Sequence, residues 1–132
     1  MAERATITVN DREDTPVAHA FVPQGGDSNM ARFREAGLVP EVNSKLNISW
    51  KTSGSKVTKI RMTLAVPKAV TETINGVDYT RAQHTLFADV TFTYPGQCTE
   101  QERENLVGMF ANALASSQTV VNSTVVGLEE IF

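Results

Sequence analysis

With 132 residues the chain is long enough for one domain that buries its own core without staples. A formal net charge of −3, with 41% hydrophobic and 20% charged residues, fits an ordinary globular protein and gives no bulk attraction to nucleic acid. The one cysteine, Cys98, excludes an intrachain disulfide framework and a multi-cysteine metal site, and it suits a reducing cytosol.

The start, "MAERATITVN", lacks the apolar core of a secretory signal, and no apolar run approaches the roughly 20 residues that span a bilayer. "ATITV" (5–9) alternates and is β-branched, which predicts a strand that the turn formers of "NDREDTP" then break. "VAHAFVPQGG" predicts a second short strand, ended by Pro23 and the two glycines. "DSNMARFREAGLVPEV" reads either as a short helical turn or as an irregular strand, kept short by Gly37 and Pro40.

The pattern is clearest from Lys45 on. Leu46, Ile48 and Trp50 alternate with Lys45, Asn47, Ser49 and Lys51. After the turn "TSGS", Ile60, Met62, Leu64 and Val66 alternate with Lys59, Arg61, Thr63 and Ala65. Two such runs around a Gly/Ser turn predict an antiparallel hairpin, its second strand ended by Pro67. The Asn-Gly pair in "TETINGVDYTR" predicts a turn at the tip of a longer loop or ribbon. "HTLFADVTFTY" (84–94) is a further long strand. Its apolar row is His84, Leu86, Ala88, Val90, Phe92 and Tyr94, and its polar row holds Phe87 and Asp89.

Beyond residue 95 the period changes. Thr99 with Glu102 makes a capping-box pattern, Glu100, Glu102 and Glu104 suit a helix N-terminus, and Leu106, Met109, Phe110, Ala113 and Leu114 recur at helical spacing. "QTVVNSTVVGLEEIF" predicts a second, weaker helix with Val121, Val125 and Leu128 on its stripe. Strands followed by helices predict an α+β domain, with the helices on one face of the sheet.

No catalytic constellation is present. His19 and His84 have no nucleophile motif around them, and His84, in an apolar row, reads as a core or interface residue. No phosphate loop or dinucleotide fingerprint occurs. No enzyme activity, cofactor or metal is expected. The charge layout says more. Lys45, Lys51, Lys56, Lys59, Arg61 and Lys68 fall between Val42 and Thr71, a segment without Asp or Glu. Parity sets Lys45, Lys51, Lys59 and Arg61 on polar rows, with Phe87 on the polar row of a neighbouring strand. A basic sheet face with an exposed aromatic suits single-stranded RNA. A half-buried sheet with an ordinary polar face remains the alternative.

Four runs resemble the coat proteins of levivirus-type single-stranded RNA bacteriophages: "FADVTFTY", "VPKAVTETINGV", "DREDTPVAHAFVP" and "NLVGMFANAL". They stand in the family's order along essentially the whole chain. The resemblance implies an N-terminal β-hairpin (1–24), a five-stranded antiparallel sheet (30–95) and two C-terminal helices (99–132) in a single coat protein domain. It implies an intertwined homodimer whose helices cover the partner's sheet, and a small icosahedral shell around viral genomic RNA. It further implies a virion component, assembled in the bacterial host cytoplasm, that also binds an operator RNA hairpin and represses replicase translation. Lys45, Asn47, Ser49 and Lys51, then Lys59, Arg61 and Thr63, then Phe87 and Asp89, match the family's RNA-binding positions. Phe87 replaces the usual tyrosine, Arg61 a small hydroxyl residue and Thr63 a lysine, so the adenine pockets of relatives are expected to be altered here. No cysteine lies in the "TETINGVDYTR" loop, so the disulfide link of some relatives is not expected. A non-assembling RNA-binding regulator is the alternative.

Overall fold

The computed structural model describes residues 3–36 and 42–132. The chain divides into two compact units, one up to Thr93 and one from Tyr94 to Phe132.

In the first unit, six strands form one sheet in chain order: β1 (Ile7–Asn10), β2 (Ala18–Gly26), β3 (Met30–Glu35), β4 (Lys45–Thr52), β5 (Thr58–Ile74) and β6 (Val77–Tyr94). The ambiguous segment after Gly26 is thus a strand, β3, paired antiparallel to both β2 and β4. The limits assigned to Gly37 and Pro40 lie outside the described residues.

The sheet has six strands rather than the expected hairpin plus five, and two prolines expected to end strands lie inside them. Pro67 lies inside β5, beyond the last β4 partner pair, Lys45 with Ala65, so its missing N–H takes no bond from that neighbour. Pro23 lies inside β2, past the last β1 partner, Phe21, and opens the irregularity that runs to Gly26. Gly26 is required there: its φ is +126°, and a Cβ would come within 2.1 Å of the Met30 carbonyl oxygen. The β1–β2 hairpin joins the same sheet.

β5 and β6 run uninterrupted to a two-residue tip. Asn75 (φ 52°) and Gly76 (φ 79°) supply the two left-handed conformations that a twisted hairpin turn requires. Thr73 donates to Asp78 at 2.6 Å and Arg81 pairs with Glu72, tying the ribbon together below its tip.

The apolar rows meet as predicted in β4 and β5, where Leu46 faces Leu64 and Ile48 faces Met62. They continue into β3 and β2. Phe21, Phe33 and Leu46 are the buried hydrophobic core among the described residues, with Ile7, Ala31, Ile48, Met62 and Leu64 packed against them. His84, by contrast, is exposed in the single chain, as is Leu86 in the same row.

The core's edge carries a charged cluster. His19 sits between two carboxylates, Asp11 Oδ2 at 2.8 Å from Nε2 and Glu35 Oε1 at 2.6 Å from Nδ1. Only the imidazolium donates to both. The bond to Asp11, then that to Glu35, therefore raises the His19 pKa above its ordinary 6.5. Asp11 is held below its ordinary 3.8, first by the Val17 N–H and then by His19. A raised histidine contributes fully below 6.5 and loses that contribution as pH rises through its folded value. The depressed Asp11 loses its own as pH falls through its folded value, below 3.8. The clasp is strongest between these limits. The thermal midpoint of the native chain is thus expected to exceed that of His19→Gln near pH 5.5, by a margin that shrinks by about pH 8.5. Paired melts at the two pH values check this, and an equal margin at both rules it out.

In the second unit, α1 (Glu100–Ala113) starts with the predicted capping box. Thr99 Oγ1 accepts from the Glu102 N–H at 3.2 Å, and the Glu102 carboxylate accepts from the Thr99 N–H at 2.9 Å. Arg103 donates to the Cys98 carbonyl at 3.3 Å and also lies 3.4 Å from its sulfur, which fixes the approach to the helix. α2 (Thr119–Val125) follows, and Leu128 lies beyond it in a left-handed conformation rather than on its stripe. Neither helix contributes a buried residue.

The surface exposed by one chain is 10268 Å². Large hydrophobic side chains, including Leu86, Met109, Val120 and Val126, are exposed on the single chain.

Candidate nucleic-acid interface

In antiparallel pairs, directly opposite residues share a face. The register therefore defines the surface opposite the core. Lys45 faces Ala65, Asn47 faces Thr63, Ser49 faces Arg61 and Lys51 faces Lys59. All seven residues expected on β4 and β5 lie on this one face. Lys45, Lys51, Lys59 and Arg61 are exposed, while Asn47, Ser49 and Thr63 are half-buried between them.

β6 joins through a side-chain contact. Arg61 forks onto Asp89, its Nε donating to Oδ1 and Oδ2 at 3.0 Å each and its Nη2 to Oδ2. Asp89 is therefore on the Arg61 face, and so is Phe87, two residues earlier on the same strand. Phe87 is 81% exposed, a large ring that covers nothing in the chain. The fork holds the Asp89 pKa below its ordinary 3.8. Asp89 thus stays an ionised acceptor, and Arg61, one of the cations expected on the RNA face, has its charge met locally by a carboxylate 28 residues away.

The face reaches further than the sequence indicated. Arg34 lies opposite Lys45, and Arg32 lies opposite Asn47. Both arginines therefore share the surface of β4's polar row, while Phe33 and Glu35 point to the core side. The signal was present as "ARFRE", an alternation of basic residues around a phenylalanine, hidden in a segment that also reads as a helical turn. Two like-charged pairs stand directly opposite across neighbouring strands, Arg34 with Lys45 and Lys51 with Lys59. Such pairs repel. The arrangement is an electropositive sheet surface with one exposed aromatic and one oriented carboxylate. It can neutralise phosphates, stack an unpaired base and accept a hydrogen bond from a base edge. Among the described residues no cluster of His, Cys, Asp and Glu is arranged to hold a metal ion.

A model of the levivirus coat protein family matches residues 2–132. The capsid protein of Pseudomonas phage PRR1 is 32% identical over 131 residues, covering 99% of this chain and 100% of that protein. Among solved structures, the virus-like particle of bacteriophage ESE058 aligns with a TM-score of 0.87 at 19% identity, over 99% of this chain and 100% of that one. An unassembled virus coat protein dimer, a bacteriophage RNA-binding dimer, aligns with a TM-score of 0.74 at 14% identity, over 99% of both chains. At these identities the two structures speak to the fold: an antiparallel sheet followed by two C-terminal helices.

Proposed function

The chain belongs to the levivirus coat protein family, a structural rather than enzymatic family, and from that premise we propose that it encloses and binds viral RNA. Two copies form an intertwined homodimer, and dimers close into a small icosahedral shell around the genome, in the host cytoplasm. The basic sheet face lines the interior. One dimer also grips a hairpin in the viral RNA and represses replicase translation. Lys45, Asn47, Ser49, Lys51, Lys59, Arg61, Thr63, Phe87 and Asp89 make the RNA surface, with Phe87 as the stacking platform.

The observation that carries the RNA reading is the register that sets Lys45, Lys51, Lys59 and Arg61 on one face, together with the Arg61–Asp89 contact that adds Phe87 to it. An acidic chain has concentrated its cations where the sheet is not needed for its core. The large apolar side chains left exposed on one chain, Leu86, Met109, Val120 and Val126 among them, support the dimer, because obligate interfaces are large and apolar.

Expression in bacteria is expected to yield particles of uniform diameter that contain RNA, seen by electron microscopy and by nucleic-acid absorbance of the purified particle. Only small soluble dimers at high concentration, with RNA attached, would refute the shell while leaving the RNA face standing.

A further inference from the structure

We propose that Arg32 and Arg34 on β3 form, with Lys45 on β4, a phosphate track that carries the RNA surface one strand beyond β4 and binds without regard to base sequence. This rests on the reading of the face as an RNA surface.

The register places the residues. Arg34 is opposite Lys45, and Arg32 is opposite Asn47, so three cations sit around one corner of the sheet. Neighbouring strands lie roughly 4.8 Å apart, and same-face residues along a strand repeat about every 6.7 Å. That repeat matches the step between successive phosphates of an extended strand.

The charges there are uncommitted. Neither Arg32 nor Arg34 forms an ion pair among the described residues. The nearest carboxylate in sequence, Glu35, points to the opposite face and is held by His19 at 2.6 Å. Arg61 and Arg81, by contrast, are each answered by a carboxylate, Asp89 and Glu72. Lys45, Lys51 and Lys59 likewise form no ion pair among the described residues, so the unbalanced positive charge of the face lies on β3, β4 and the start of β5. A guanidinium opposite an ammonium costs the free sheet stability. A polyanion that neutralises both removes that cost.

The chemistry of this corner fits backbone rather than base. No aromatic residue and no carboxylate from β3 shares the face: its members there are Met30, Arg32 and Arg34. On β2 the residue opposite Arg34 is Val22, which ends the charged strip. The face thus divides its labour. The β5–β6 side, with Phe87, Asp89 and Arg61, offers base contacts, and the β3–β4 side offers phosphate contacts that position the strand.

The test measures binding of a short labelled oligouridylate, and of the matching oligoadenylate, to the full-length chain below the concentration at which particles form, across a salt series. Each single-strand phosphate contact contributes roughly 0.7 to the slope of log K against log salt. Arg32→Gln/Arg34→Gln is expected to lower that slope by about 1.4, and to weaken both probes by the same factor. Arg32→Gln alone, at an exposed position, lowers it by about half as much and serves if the double variant fails to fold. Arg32→Lys/Arg34→Lys keeps the charge and restores the slope. A native slope in Arg32→Gln overturns the track, as does a loss confined to one probe. If the native chain binds neither probe in a salt-dependent way, the RNA reading of the whole face falls first.

Discussion

Met109→Glu is expected to abolish dimers and particles while leaving the chain's own contacts almost untouched. Met109 is 72% exposed in one chain and lies on the helical stripe with Leu106, Phe110 and Ala113. On a true monomer surface such a change stays within about 0.5 kcal/mol. If the stripe is the dimer interface, the same change puts a carboxylate into an apolar contact, at a cost of several kcal/mol. The second outcome is expected because α1 has no buried residue, and a helix of 14 residues is marginal without a packed face. Glu104→Gln, on the opposite side of the helix by its 3.6-residue period, serves as the control. Sedimentation at several concentrations reads the result. The native chain sediments as a dimer and its unfolding midpoint rises with concentration. Met109→Glu sediments as a monomer or aggregates. A stable Met109→Glu dimer with native particles would falsify this placement of the interface.

The sequence was readable where one residue's neighbours along the chain determine its environment. The alternating rows of β4 and β5 follow from a period of two, and the register sets Leu46 against Leu64 and Lys51 against Lys59 as that parity requires. The Thr99–Glu102 box closes within four residues. Readability failed where the deciding partner is remote. Pro67 reads as a strand end because a proline removes a ladder bond. Only the position at which β4 stops shows that no bond from that side was needed. Arg32 and Arg34 acquire a face only once β3 pairs with β4. His19 has no local motif in the sequence, because its two partners lie 8 and 16 residues away. The sequence places Asp89 on the polar row but does not show it as the partner of Arg61, because strand parity gives the face and not the contact. His84 and Leu86 are exposed in an apolar row because parity predicts what must be covered, not which chain covers it.

Phe87→Ala is expected to cost about 1–3 kcal/mol of hairpin affinity, a weakening of roughly five- to 150-fold at fixed salt. The ring is 81% exposed and fills no cavity in the sheet, so its removal takes nothing from the core around Phe21, Phe33 and Leu46. Dimer stability and particle yield should therefore match the native chain. Phe87 carries no charge, so the salt slope should also hold while the whole binding curve moves to weaker affinity. This pattern is the converse of that expected for Arg32 and Arg34, whose loss flattens the slope. A shared general weakening of the surface would move both quantities together in every variant. Phe87→Tyr separates the two uses of the ring. If stacking alone matters, tyrosine leaves affinity unchanged. If a hydroxyl at this position can reach a phosphate, tyrosine binds more tightly than the native residue. Native affinity in Phe87→Ala, with the salt slope also intact, would leave the exposed ring without a base and return specific recognition to Asp89 and its neighbours on β4 and β5.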